Sequence, residues 1–213
     1  MSINELMEMV KYIISGATIT FSIFFSTLVI SFPIGVIGAL GKIKGNILVR
    51  KLLNIYTWVF RGSPLLLQVI FAYYGLGVMG IKFTPFQAAL IAYSLNYGAY
   101  ITEIIRGGID SVDKGQFEGF KVLGMTYFQG MRRVILPQAI RKALPSLCNE
   151  VINLIKDTAM VSVIGLGDIL RNSKEIVTRE FTIVPLIIAV VIYLCISSVI
   201  IHLMKKLEEK YAF

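Results

Sequence analysis

ATITFSIFFSTLVISFPIGVIGAL, running from Ala17 to Leu40, holds no Asp, Glu, Lys or Arg in 24 residues. About 20 apolar residues in an α-helix cross the hydrocarbon core of a bilayer, so this stretch predicts a transmembrane helix. Three further uncharged runs of comparable length follow, Gly62 to Ile81, Phe83 to Thr102 and Phe181 to Leu203. A fifth run, Ala143 to Leu170, is mostly apolar but carries Glu150, Lys156 and Asp157. Ionisable groups at membrane depth line a pathway or pair with one another, which makes this segment the informative one. The pattern predicts an all-α integral membrane fold, one domain over residues 1–213, with spans at about 16–41, 62–81, 83–105, 144–167 and 181–204.

Composition agrees. Only 16% of the 213 residues are charged and 56% are hydrophobic, whereas soluble domains carry about a quarter charged residues. The formal charge of +8 is distributed unevenly. With the first span running from outside to inside, segments 41–51, 106–142 and 205–213 fall in the cytoplasm and hold 14 Lys+Arg against 5 Asp+Glu. The outer segments, 1–15, the residues around Lys82, and 168–180, hold 5 of each. Positive residues collect on the cytoplasmic side, so the N-terminus is expected outside and the C-terminus inside. The basic balance is thus a topology signal, and no basic and aromatic patch points to nucleic acid.

The acidic start and the long run from Ala17 do not fit a cleaved signal peptide, and a retained first helix is expected. Two cysteines, Cys148 and Cys195, and one histidine, His202, are too few for a disulfide framework or a metal site. Residues 52–81 would form a helix of roughly 45 Å, too long for one untilted crossing. Gly62-Ser63-Pro64 is the expected break, because proline removes a backbone donor and clashes with the preceding turn.

The cytoplasmic segment 106–142 is too long for a simple connector. Asp113 and Gln116 resemble a capping box, Phe117, Phe120 and Leu123 recur at helical spacing, and Gly124 stops the run. Met125, Phe128, Met131 and Val134 begin a second short helix, expected to end before Pro137. Two readings of this amphipathic hairpin stay open on pattern alone, a docking element for a cytoplasmic protein and an interfacial anchor.

The stretch Glu118-Gly119-Phe120-x3-Gly124-x9-Val134-Ile135-Leu136-Pro137 resembles the EAA coupling loop of bacterial ATP-binding-cassette importer permeases, E-A-A-x3-G-x9-I-x-L-P. Gly119 and Phe120 stand where the pattern has alanines, and Val134 where it has isoleucine. Separated motifs in the right order narrow the resemblance to polar amino-acid permeases of the histidine, arginine and glutamine type. They are Arg61-Gly62-Ser63-Pro64-Leu65-Leu66-x-Gln68, Tyr100-x2-Glu103-x2-Arg106-Gly107-Gly108-Ile109, Leu136-Pro137-Gln138-Ala139, Lys156-Asp157-Thr158 and Val161-Ser162-Val163-Ile164-Gly165.

The resemblance implies an import subunit in a bacterial plasma membrane that catalyses no covalent chemistry. Its implied partners are a second permease subunit, identical or related, a cytoplasmic ATPase dimer and an extracytoplasmic solute-binding protein. Glu118, Gly119, Phe120, Gly124, Leu136 and Pro137 would seat against the ATPase. The chain has no G-x4-G-K-[S/T] phosphate loop, so ATP and magnesium would be held by that partner and no cofactor by this chain.

Polar stripes mark candidate substrate contacts. Asn149, Asn153 and Lys156 share one helical face, and Glu150, Asn153 and Asp157 an adjoining one; Asn153, Lys156 and Asp157 are the candidate contacts among them, whereas Glu150 lies near the inner surface within reach of Arg141 or Lys142. Lys156 and Asp157 point about 100° apart and are poorly placed to neutralise each other, leaving a cation and an anion to answer the carboxylate and ammonium of an amino acid. In the third span, Asn96, Tyr100 and Glu103 line one face, with Glu103 suited to a cationic group. The competing reading has Glu103, Lys156, Asp157 and Arg61 pairing internally to fasten helices. Two other classes remain, an ion-gradient carrier, which would show two related halves, and a membrane scaffold, which would leave the polar stripes without a role.

Overall fold

The computed structural model describes residues 3–211, so the first two and last two residues of the expected 1–213 domain lie outside it. Ten helices form: α1 Ile3–Ser15, α2 Ala17–Lys44, α3 Ile47–Gly62, α4 Leu65–Val78, α5 Pro85–Asp110, α6 Lys114–Val122, α7 Tyr127–Gly130, α8 Leu136–Asp157, α9 Ile169–Glu180 and α10 Val184–Tyr211. No strand occurs among the described residues.

The continuous helical run Ile3–Lys44, which joins α1 and α2, and helix α10 are each long and apolar enough to cross a membrane. They expose Phe25, Val29 and Ile37, and Val190, Leu194 and Val199, surfaces suited to hydrocarbon rather than water. Helix α5 is more polar because it occupies the centre. Its Ala88, Ala89, Ala92, Tyr93 and Tyr97 are buried in the main core with Ile23, Phe24, Val69, Leu154, Ile155 and Val161. A helix enclosed by other helices need not satisfy lipid along its length. Two glycines let α2 lie almost backbone to backbone on it, since a Cβ at Gly35 would collide with Ile101 and one at Gly38 with Thr102. Such small-residue seams are how membrane helices associate where no hydrophobic drive operates.

The chain breaks where proline predicted. Helices α3 and α4 meet at Ser63-Pro64 and differ in direction by 104°. Backbone carbonyls at the end of α3 lose their helical partners there, and each unsatisfied group in a bilayer costs several kcal/mol. Side chains replace those partners. Phe60 O accepts from Asn96 Nδ2 at 2.7 Å and from Gln68 Nε2 at 2.9 Å, and Ser63 O accepts from the same Gln68 amide at 3.1 Å.

Residues 106–142 depart from the expected hairpin in two respects. Asp113 caps α6, its carboxylate accepting from Gly115 N–H at 2.6 Å, but Gln116 does not complete a capping box and its amide oxygen accepts instead from Gln138 Nε2 at 3.1 Å; the helix ends before Gly124. Gly124 takes φ +70°, a left-handed conformation that glycine adopts without penalty. The second helix does not stop before Pro137. Thr126 and Gln129 cap α7 reciprocally, and the chain passes through a π turn at Met131–Ile135 directly into α8. In that turn Leu136 N–H reaches back to Met131 O, and the wider register accommodates the missing donor at Pro137. The loop's second helix and α8 are therefore one continuous rod.

Helix α8 also ends earlier than the expected 167, giving way to a 3-10 turn at Thr158–Ile164 that Gly165 closes with φ +86°. Helix α9 was not foreseen. Asp168 caps it by accepting from Leu170 N–H and Arg171 N–H at 3.1 and 3.0 Å. Ile169 and Ile176 of α9 pack with Met9 and Ile13 of α1 and Ala189 of α10.

Candidate translocation path

The polar face predicted for α5 divides in two. Glu103 is 13% exposed and is surrounded by cations of three helices. Its Oε1 accepts from Lys42 of α2, its Oε2 accepts from Arg106 Nε and Nη2 at 2.9 and 2.8 Å, and Arg61 of α3 lies 4.0 Å away. Lys42, only 7% exposed, donates as well to Thr57 of α3 at 2.6 Å. Asn96 is buried with its amide at the α3–α4 break, bonded to Phe60 O and to Gln68 Oε1 at 3.0 Å. Glu103 thus bridges α5 to α2 and α3, and Asn96 bridges α5 to the α3–α4 break.

Tyr100, the third member, is different. Its hydroxyl donates to Arg61 O at 3.4 Å, and the Arg61 guanidinium lies 5.3 Å from its ring centroid. Together they line an open cleft of about 410 Å³ whose other walls are Ile104 of α5 and Pro145, Ser146, Asn149 and Glu150 of α8. Arg61 and Glu150 were not among the predicted contacts. The stripe of Asn149, Glu150 and Asn153 on one helix was the signal for Glu150, whereas Arg61, on α3, joins the same cleft only through tertiary packing.

Asp157 sits at the junction of α8 with the 3-10 turn, where the carbonyl register changes. Its Oδ2 accepts from Tyr97 hydroxyl at 2.7 Å, and its backbone oxygen accepts from Tyr93 hydroxyl at 2.6 Å. Lys156 is exposed and Asn153 partly buried. No ion pair joins Lys156 to Asp157 among the described residues, consistent with their divergence around the helix. The cleft therefore includes Tyr100 but not Asn153, Lys156 or Asp157.

The loop residues sort by exposure. Phe120 is 2% exposed and fills the loop's own core with Ile109, Val112, Met131, Ile135 and Ala139. Its ring lies so close to Gly130 that a Cβ there would collide with it, so bulk at 120 is matched by its absence at 130. Glu118, Gly119, Gly124 and Pro137 are exposed and Leu136 is half-buried. Val122, Leu123 and Phe128 are strongly exposed beside them. The described residues contain no group of three or more His, Cys, Asp or Glu able to hold a metal ion.

Residues 31–212 match the family of binding-protein-dependent transport system inner membrane components. The chain belongs to that family. It is 37% identical over 203 residues to a putative glutamine transport system permease protein, GlnP, of Rickettsia typhi, covering 94% of this chain and 93% of the relative. It is 38% identical over 203 residues to the arginine transport system permease protein ArtQ of Bacillus subtilis, with the same two coverages. The crystal structure of an amino acid ABC transporter with histidines superposes with a TM-score of 0.91 at 35% identity, covering 99% of each chain. A methionine ABC transporter, MetNI, shares the fold at 18% identity and a TM-score of 0.73. This chain is accordingly a helical integral membrane permease component that works with a binding protein, and the gradient-driven carrier and the scaffold are both displaced.

Proposed function

We propose that the chain is the transmembrane subunit of an ATP-driven importer of a polar or basic amino acid in a bacterial plasma membrane. The observation that carries this is likeness along nearly the whole chain to permeases of glutamine and arginine systems and to an amino acid ABC transporter. Five crossings are assigned to α2, the broken pair α3 and α4, α5, α8 and α10, with the N-terminus outside and the C-terminus in the cytoplasm. Loop 106–142 is the coupling element. Glu118, Gly119, Gly124, Leu136 and Pro137 meet the ATPase dimer, while Phe120 holds the loop's shape from within. The continuity of α7 through the π turn into α8 supports this role, because a rod transmits a push at the loop to the path lining.

ATP and magnesium are bound by the ATPase subunits, and an extracytoplasmic solute-binding protein delivers substrate to a path shared with a second permease subunit, identical or related. Tyr100, Asn153, Lys156 and Asp157 face the solute. Glu103 and Asn96 shape the walls of the path rather than touch its cargo. The test is ATP hydrolysis by the purified permease–ATPase complex with and without substrate-loaded binding protein. Several-fold stimulation is expected only with the loaded protein, and hydrolysis indifferent to it would refute the assignment.

A further inference from the structure

The connection from α8 to α9, residues 157–168, is pinned at both ends. At its start the Asp157 side chain accepts from Tyr97 and the Asp157 backbone oxygen accepts from Tyr93. At its far end Asp168 is fully buried and makes no ion pair among the described residues. Its carboxylate accepts from two backbone N–H groups of α9 and from the Tyr193 hydroxyl of α10, the last at 3.3 Å. A serine would cap α9 without burying a charge. What the carboxylate adds is acceptor capacity beyond the cap, and Tyr193 uses it.

Tyr193 meets more than Asp168. Its hydroxyl also interacts with Thr20 of α2 and with Thr158, the first residue of the 3-10 turn, both fully buried. Each threonine donates its own proton to a backbone oxygen one turn back, Thr20 to Gly16 at 3.3 Å and Thr158 to Ile155 at 2.7 Å. Three side chains thus offer oxygen acceptors to a phenol that has one proton to give. They belong to α2, α9 and the turn after α8, so one hydroxyl on α10 gathers three elements. Close packing keeps them together. A Cβ at Gly16 would overlap the backbone of Asp168 and Ile169, and Asn172 of α9 donates to Tyr12 O of α1 at 2.9 Å.

Thr158 follows Asp157 directly, so what holds one residue constrains the backbone of the other. We propose that Tyr193 is a positioning residue of the path: its hydroxyl ties the turn at Thr158 to the Asp168 cap of α9 and thereby sets where the Asp157 carboxylate stands. Tyr193 itself touches no solute. This rests on the reading of Asp157 as a group of the path and deepens it, because a shift of α9 then reaches Asp157 through one phenol. In a dry interior that bond has no water to replace it when it is lost.

The experiment is ATP-dependent uptake of labelled L-glutamine, L-arginine and L-histidine into vesicles holding the permease with its ATPase and binding protein. Wild type, Tyr193→Phe, Asp157→Asn and the double variant are compared. Phenylalanine keeps the ring and removes only the hydroxyl. The maximal rate of Tyr193→Phe should fall roughly threefold to tenfold, the size of one hydrogen bond, with KM little changed. In the Asp157→Asn background the same substitution should cause no further fall, because the charge it positions is already gone. Hydrogen exchange of residues 158–164 should quicken in Tyr193→Phe with or without the change at Asp157. Wild-type rates in Tyr193→Phe overturn the assignment, as does unchanged exchange of the turn. An equal fold-loss in both backgrounds also overturns it, since that marks a general structural effect. An Asp157→Asn variant as fast as wild type removes Asp157 from the path and this assignment with it, leaving ATP-driven import intact. A wild type without ATP-dependent uptake of any of the three removes both this assignment and the importer reading.

Discussion

Replacing Glu103 with glutamine should destabilise the protein far more than one lost hydrogen bond would. The carboxylate is 13% exposed and serves Lys42, 7% exposed, together with Arg106. Glutamine keeps the shape but turns one acceptor into a donor facing N–H groups, and it leaves the Lys42 ammonium buried without a counter-charge. Removing one member of a buried ion pair costs about 3–5 kcal/mol. For a chain of this size each kcal/mol moves Tm by about 2–4 °C, so a fall of roughly 6–20 °C is expected. Thermal unfolding of the detergent-purified permease–ATPase complex reads it. The double variant Lys42→Met, Glu103→Leu should recover much of the loss, because it removes both charges from the interior and leaves Arg106 its bond to Asp110. A Tm for Glu103→Gln within about 2 °C of wild type, or a double variant no better than the single, would refute the tie between α2, α3 and α5.

Three further outcomes are expected. Glu118→Ala, at an exposed position of the loop, should lower binding-protein-stimulated ATP hydrolysis several-fold while membrane insertion and Tm stay as in wild type; undiminished stimulation would take Glu118 out of the coupling surface. Asp157→Asn keeps an acceptor for the Tyr97 hydroxyl but removes the charge, so the maximal uptake rate should fall with little change in Tm, and unaltered transport kinetics would return Asp157 to a structural role. Where α1 meets α9, the Tyr12 hydroxyl, bonded to Glu175 at 2.6 Å, holds that carboxyl below its ordinary range, with Arg171 adding to the effect. The docking of α1 on α9 is thus supported above the usual carboxylate pKa, about 4.3, and that support is lost as pH falls through the lowered value. Hydrogen exchange of residues 3–15 should speed up in acid, and Tyr12→Phe should speed it at neutral pH and flatten the acid dependence.

Much of the fold was legible because membrane crossing is a local property of sequence. Uncharged runs near 20 residues marked α2, α5 and α10, and the proline at 64 marked the break between α3 and α4. Gly124 marked the loop's turn for an equally local reason, its left-handed backbone. Pro137 misled, because a proline normally ends a helix, and only the π turn before it lets α7 run on into α8. Helix α9 escaped notice because it is amphipathic and short, stabilised by packing against α1 and α10 rather than by an apolar run.

The site was less legible. Spacing on one helix reveals a face, as it did for Asn96, Tyr100 and Glu103, but not what that face meets. Lys42 stands 61 residues from Glu103 in sequence, and Gln68 stands 28 residues from Asn96. Those pairings decide which polar residues are occupied with holding helices and which are left to a solute. Phe120 was legible as a departure from the coupling-loop pattern, but its compensation, the empty space at Gly130, is a tertiary match.

The most direct test of the central claim is uptake of labelled amino acids into vesicles that hold this permease with its ATPase and binding protein, with and without internal ATP. The account predicts uptake of one or a few polar or basic amino acids that requires internal ATP and survives an ionophore. Uptake that proceeds without ATP and collapses with the ionophore would contradict it.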